Sequence, residues 1–222
     1  KTHAALDAKV AKSDCIVLAV KPQQVREVAA SLKPHLASQL VLTIAAGIRV
    51  KDLSRWLGGY RRIVRVMPNT PALVHAGISG LYAPAMVGSG GRAIAEKIMG
   101  AAGEVLWIER EEDLDAVTAV SGSGPAYVFY FIEALERAAR ELGLAADAAH
   151  RLALGTFAGA VKLAAQSGEP PETLRSRVTS KGGTTERALK SMEVERVKEA
   201  IVRAVRAAAE RSRELGDELG KD

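Results

Sequence analysis

The sequence predicts an α/β unit with a mostly parallel sheet, followed by an all-helical unit. Three observations carry that reading. Short, nearly uncharged β-rich runs alternate with helix-spaced segments as far as about residue 110, the pattern of βαβ units on a covered sheet. From about residue 111 onward no strand signal remains. Of the 222 residues 48% are hydrophobic but only 4% aromatic, so Ala, Val and Leu dominate. That suits helices and buried parallel strands better than an aromatic-rich β-sandwich.

Residues 14–20 form the first expected strand. After Lys21-Pro22, the residues Val25, Val28, Ala29 and Leu32 recur at helical spacing, and Pro34 closes the segment. The run Leu40-Val41-Leu42-Thr43-Ile44 reads as a second buried strand ending in Ala45-Ala46-Gly47, with a short helix at about 50–57 behind it. A strand at 63–66 runs into Met67-Pro68-Asn69-Thr70-Pro71, where two prolines are expected to forbid regular structure. Residues 78–82 read as a strand, about 91–102 as a helix and 105–108 as the last strand. In the second half a helix is expected over 113–120, and Pro125 suits the first turn of a long helix to about 142. Asp147 is placed to cap a helix to about 166, Pro170-Pro171 opens a short helix to about 178, and a charged amphipathic helix fills 194–219. The composition shift puts the boundary near residue 110, giving an α/β half over 1–110 and an all-helical half over 111–222, a layout that suggests a nucleotide-binding domain joined to a substrate or dimerisation domain.

Two glycine clusters stand out. Ser180-Lys181-Gly182-Gly183-Thr184-Thr185 joins two glycines to hydroxyl side chains directly before a helical segment. Glycines let successive N–H groups turn toward one point, and a helix N-terminus adds free donors and partial positive charge. Such a turn is a pocket for a small anion, a carboxylate or phosphate; it equally describes a solvated Gly-Gly loop with a hydroxyl cap. Upstream lies Ser121-Gly122-Ser123-Gly124-Pro125. In open α/β sheets ligands sit beyond the carboxyl ends of the strands. Three segments fall there: Ala19-Val20-Lys21-Pro22, Ala45-Ala46-Gly47 and Met67–Pro71. Their small residues let a flat ring approach the backbone, and Lys21, Asn69 and Thr70 add polar handles.

Charge and cysteine content exclude several classes. The 31 basic and 26 acidic residues leave a net charge of +5 without a block of like charge or aromatics interleaved with Lys and Arg, so nucleic-acid binding is not expected. The single cysteine, Cys15, excludes an internal disulfide and a multi-cysteine metal site, and its apolar run makes it a core residue rather than a nucleophile. The four scattered histidines have no i, i+4 pair, so no metal is expected. No apolar stretch of 18 residues occurs, so a membrane span is not expected, and a reducing, cytoplasmic setting is the default.

Ala-Val-Lys-Pro at 19–22, Ala-Ala-Gly at 45–47, Arg65–Ala72, Ser121–Tyr127 and Ser180–Thr185 follow one another in the order and spacing of the pyrroline-5-carboxylate reductases. The resemblance spans essentially the whole chain, and the last two motifs are the most specific. It implies a Rossmann-like domain plus a helical domain interlocked with its copy in a homodimer, sometimes built further into decamers. It also implies reduction of 1-pyrroline-5-carboxylate to L-proline with NADPH or NADH. By the same resemblance Thr185 is the polar group assisting protonation of the imine, and Ser180, Gly182, Gly183 and Thr184 shape the carboxylate site. Glu111 aligns with an acidic residue near the substrate. Ala19, Val20, Lys21 and Pro22 run along the dinucleotide, Ile44, Ala45 and Ala46 line its nicotinamide end, and Asn69 and Thr70 shape the same cleft.

The sequence departs from the family pattern at its start. It opens about fifty residues into that pattern, judged by the length of an initial βαβ unit, so the Gly-x-Gly-x-x-Gly loop for the pyrophosphate is expected to be missing and cofactor affinity reduced. Two other readings use the same features. One is a catalytically silent helical dimerisation module. The other is a β-hydroxyacid-type dehydrogenase, which places a lysine on its central helix where this chain reads Tyr127-Val128-Phe129-Tyr130-Phe131-Ile132-Glu133. That helix is apolar nearly all round, so burial on more than one side is expected, with a second subunit as the natural cover.

Overall fold

The computed structural model describes residues 6 and 9–221. The chain divides into two compact units, one running to Pro125 and resuming at Val205, the other Ala126–Ala204. Strands end before residue 110, but the helical chain from there to Pro125 stays with the sheet, so the units part some fifteen residues beyond the compositional shift.

The first unit holds a five-stranded sheet in the order β1 (Cys15–Leu18), β2 (Leu40–Thr43), β3 (Ile63–Met67), β4 (Gly77–Tyr82), β5 (Gly103–Trp107). All neighbouring pairs are parallel except β3 with β4. That exception follows from the short link between those two strands, since a parallel return needs a crossover of a dozen or more residues. Helix α1 (Val25–Leu32) connects β1 to β2, α2 (Val50–Trp56) connects β2 to β3, and α3 (Gly88–Gly100) connects β4 to β5.

Every residue of β2 is buried, and its side chains alternate between two cores. Val41 joins Leu18, Val25, Leu32, Leu53 and Ile63 under α1 and α2, while Leu40 and Leu42 join Val64, Val66, Leu81, Ala95 and Met99 under α3. Helices of 8 and 7 residues such as α1 and α2 are not stable alone. Fully burying Leu32 and Leu53 contributes roughly 2 kcal/mol each and fixes them on the sheet.

Several expectations change in detail. The two prolines after β3 do not abolish regular structure: Thr70–Val74 is a 3-10 helix with Pro71 in its first turn, where the missing N–H costs nothing. Pro34 likewise sits inside a 3-10 turn, Lys33–His35, that extends α1 rather than closing it. The expected 113–120 helix is three pieces: a 3-10 turn Glu111–Asp113, α4 (Leu114–Val117) and a π turn Thr118–Gly122. Ser123 N–H donates to Thr118 O across five residues, and the Thr118 hydroxyl bonds Leu114 O. A Cβ at Gly122 would overlap the Met67 methyl, so the motif's glycine brings the π turn against the end of β3.

In the second unit, α5 (Gly124–Glu141) is followed by α6 (Ala146–Ser167), α7 (Pro171–Arg177) and α8 (Thr184–Val194); α9 (Val197–Leu219) then leads back to the first unit. Asp147 lies in the first turn of α6, with Ala145 as its cap residue, so it acts on the helix dipole and not as the cap. No residue of α5 is buried in the single chain: Phe129 is 59% exposed and Tyr130 71%, and Leu152, Val161 and Leu163 of α6 are also exposed. The cover expected on more than one side of α5 is absent from the monomer. Among the described residues no helix is long and apolar enough to cross a membrane, and no three His, Cys, Asp or Glu side chains cluster as a metal site.

Candidate active site

The parallel register of β1, β2 and β3 brings their carboxyl ends to one edge of the sheet, and with them Ala19–Pro22, Ile44–Gly47 and Met67–Pro71. At the end of β1, Ala19 and Lys21 are exposed, Val20 packs on the first core, and Pro22 starts a 3-10 turn. The Lys21 ammonium has no ion pair among the described residues. At the opposite end of β1, burial pushes the half-buried Cys15 thiol up from its ordinary value of 9.0, which keeps it protonated.

At the end of β2, Ile44 leans on the second core, Ala45 is buried in the first and Ala46 is exposed. The fully buried Thr43 hydroxyl accepts from Ala45 N–H at 3.3 Å. Ile48 N–H reaches back to Ala45 O, with Gly47 at φ +76° in the third position, the place where a type II turn requires positive φ and hence glycine. At the end of β3 the Asn69 amide is a strut. Its Oδ1 accepts from Ile78 N–H at 3.0 Å and its Nδ2 donates to Ser121 Oγ at 3.2 Å. Asn69 thus ties the first serine of the Ser-Gly-Ser-Gly motif to the carboxyl edge of the sheet.

Glu111 lies in the same unit. Its Oε1 accepts from Val50 N–H at 2.7 Å, at the start of α2, and from Arg65 Nη1 at 3.1 Å. Arg65 shares the α2 face of β3 with Ile63, and its side chain is only 6% exposed, so it needs this partner. Glu111 lines a charged cleft of about 320 Å³ with Arg49, Lys51, Asp115 and Arg213. Its Oε2, without a hydrogen bond among the described residues, is the atom left for a ligand.

The second unit holds the other cluster. Gly182 has φ +76°, and Gly183 N–H donates to Ser180 O at 3.0 Å, closing a second turn with a left-handed glycine in its third position. A Cβ on Gly183 would stand 2.6 Å from Ser180 Oγ and 3.1 Å from Ser180 O, so at this ordinary φ the glycine leaves room for the serine hydroxyl over the turn. Gly182 N–H donates to Glu186 Oε2 at 2.8 Å, an arrangement close to a capping box. Both glycine N–H groups, expected to converge on an anion, are therefore used inside the turn. The donors without an intrahelical acceptor are those of Thr184, Thr185 and Glu186 in the first turn of α8. Thr185 is half-buried, while Ser180 and Thr184 are exposed.

Sequence reasoning had passed over Arg49, Arg65 and the end of α9. Arg65 carried a signal, a charge inside the apolar run Ile63-Val64-Arg65-Val66. Arg49 and Asp217, 168 residues apart, carried none.

The model of the pyrroline-5-carboxylate reductase dimerisation family matches residues 111–215, and that of the coenzyme F420-dependent NADP oxidoreductases matches residues 2–47. A pyrroline-5-carboxylate reductase of Pseudomonas aeruginosa is 46% identical over 213 residues, 96% of this chain and 78% of its own. The chain belongs to the pyrroline-5-carboxylate reductase family. Solved members superimpose on it closely. The Coxiella burnetii reductase is 41% identical with a TM-score of 0.88, covering 94% of this chain and 79% of that one. The Plasmodium falciparum reductase, solved with NADP bound, is 36% identical with a TM-score of 0.87, covering 93% and 79%. Membership makes the first unit a Rossmann-like dinucleotide domain and sets the dehydrogenase alternative aside.

Proposed function

We propose that this chain reduces 1-pyrroline-5-carboxylate to L-proline with NADPH or NADH. The observation that carries the reading is 46% identity to a reductase of that name over 96% of the chain, an alignment long enough to include both glycine turns. The residues at the sheet edge fit a dinucleotide. Ala19 and Ala46 are small and exposed, leaving backbone open to a flat ring, and the Lys21 ammonium is available to a phosphate.

The cofactor, when bound, supplies a hydride to carbon 5 of the cyclic imine. The C=N electron pair then passes to nitrogen, which holds or takes a proton, giving the secondary amine. The chain's part is binding and orientation. The first-turn N–H groups of Thr184 and Thr185 face a helix end that favours negative charge, so they take the substrate carboxylate and fix the ring. Gly182, Gly183 and Ser180 shape that turn. A threonine hydroxyl is a weak acid, so Thr185 orients the iminium or relays a proton from water. Glu111 has only Oε2 to offer a ligand, because Oε1 holds Arg65 and α2. Ile44, Ala45 and Ala46 line the nicotinamide end, Val20 and Pro22 the dinucleotide path, and Asn69 braces the cleft.

The chain works as a homodimer. The exposed apolar residues of α5 and α6 fall in the segment that matches the dimerisation family and supply the surface a second copy buries. A decamer built of five dimers is a further tier of the same proposal, and a reducing cytoplasm its setting; light scattering of the purified chain reads the assembly directly.

The test is nicotinamide absorbance decay with 1-pyrroline-5-carboxylate, beside Thr185→Ala. The expected result is turnover that falls roughly 100-fold in kcat with unchanged folding. A folded, dimeric chain that neither binds nor oxidises the cofactor would make it a silent assembly module.

A further inference from the structure

The last turn of α9 returns to the first unit beside the Ala45–Ile48 turn. Leu219 Cδ1 fills the space over Gly47, 3.0 Å from where a Cβ would sit, with Leu215 at 3.6 Å. Leu219 packs on the same core as Ala45, Ile48 and Leu53. Two residues beyond Gly47, the Arg49 guanidinium lies against Gly216, where a Cβ would be 3.0 Å from its nitrogens. From there Arg49 Nη1 reaches Asp217 Oδ1 at 2.5 Å and Nη2 donates to Arg213 O at 3.2 Å. At the other end of α2, Arg55 donates to Gly220 O at 2.6 Å. Two cations thus sit at the C-terminal, partially negative end of α9. Ser212 Oγ donates to Asp115 at 2.6 Å, adding a second fixing point on α9.

We propose that the end of α9 is a positioning element for the Ala45–Gly47 turn and so sets affinity for the nicotinamide end of the cofactor, with Leu219 and Asp217 as positioning residues. This rests on the cofactor reading above. Gly47 has no side chain of its own to pack, and the exposed Ala46 beside it is held only as firmly as its neighbours. Leu219 supplies the missing packing on one side and the Arg49–Asp217 pair fixes the chain just beyond. Without them the turn keeps its fold but gains freedom, and a ring that must lie flat on backbone loses its surface.

The test uses the full chain, Leu219→Ala, the milder Asp217→Asn, and Arg211→Ala as control, since among the described residues Arg211 pairs only with Glu214 and Glu218 on α9 itself. Hydrogen exchange of the amides of residues 44–49 is followed without ligand, and NADPH binding by nicotinamide fluorescence. Both variants are expected to speed exchange at 44–49 by about tenfold while β2 stays protected. They are also expected to weaken NADPH binding by roughly 5- to 10-fold, leaving KM for 1-pyrroline-5-carboxylate within about twofold. Arg211→Ala matches the parent. Unchanged exchange at 44–49 overturns the proposal, as does faster exchange with unchanged NADPH affinity, which makes the contact structural only. If the parent chain itself binds no NADPH, the cofactor reading fails and takes this inference with it, a result visible before any variant is compared.

Discussion

The two glycine turns of this molecule have the same local form and opposite surroundings. Ala45–Ile48 and Ser180–Gly183 each close through a bond spanning three residues, with a left-handed glycine in the third position. Around Gly47 the space is full, with Leu219 and Leu215 against it and Ala45 and Ile48 buried. A Cβ on Gly182 would meet nothing within 4 Å among the described residues, and the turn is closed by its own Ser180 carbonyl and the Glu186 carboxylate. One turn is held by long-range packing and the other by bonds within seven residues. Identical glycine chemistry in the two places should therefore respond differently to substitution.

The largest effect is expected at the packed turn. In Gly47→Ala a Cβ enters a left-handed position and meets Leu219 at 3.0 Å, so strain and overpacking add to about 3 kcal/mol. Chemical denaturation of the variant reads this as a lower midpoint at unchanged slope. Next is Glu111→Ala, which leaves Arg65 buried without its carboxylate and removes the acceptor at the start of α2. About 2 kcal/mol of stability goes with it, and Glu111→Gln, which keeps the acceptor for Val50 N–H, recovers part. A Glu111→Ala loss confined to substrate KM, with stability intact, would move that residue from the support of the first turn to the substrate.

The contrast also explains what was readable in the sequence. The strands, the sheet edge and both turns are local patterns: apolar runs of four to six residues, then small residues or a glycine. The antiparallel sense of β4 could be counted from the sequence, because the link before it is shorter than a parallel crossover needs, but the strand's own residues do not show it. The exposure of α5 in the single chain was legible, since a helix apolar nearly all round points to a second copy as its cover. At the site, Thr184 and Thr185 were legible because the helix start that frees their N–H groups is adjacent in sequence. The capture of the Gly182 N–H by Glu186 was within reach of the same motif and overlooked. The contacts of Arg49 and Leu219 depend on where a helix ends in space, which no short-range pattern encodes.

At the open turn the effects shrink. Gly182→Ala meets no neighbour, so only the left-handed backbone opposes it, about 1 kcal/mol. The packed turn thus loses about three times as much as the open one for the same added methyl. Equal losses at Gly47 and Gly182 in denaturant titrations would erase the distinction between packed and self-contained turns.

The smallest effect separates charge from packing in the contact beside Gly47. The Arg49 guanidinium, bonded to Asp217, holds that carboxyl below its ordinary value of 3.8. A carboxyl whose folded-state pKa is lowered adds stability above its unfolded value and loses it as pH falls through the folded one. At neutral pH the chain should therefore melt slightly above Asp217→Asn, and the gap should close as pH drops below 3.8. The Asp217 side chain is mostly exposed to solvent, so salt should shrink the same gap at neutral pH. Leu219→Ala should show neither dependence, because its contact with Gly47 is apolar. If the Asp217→Asn gap instead survives both acid and salt, the contact acts by shape alone, and the packed turn owes nothing to charge.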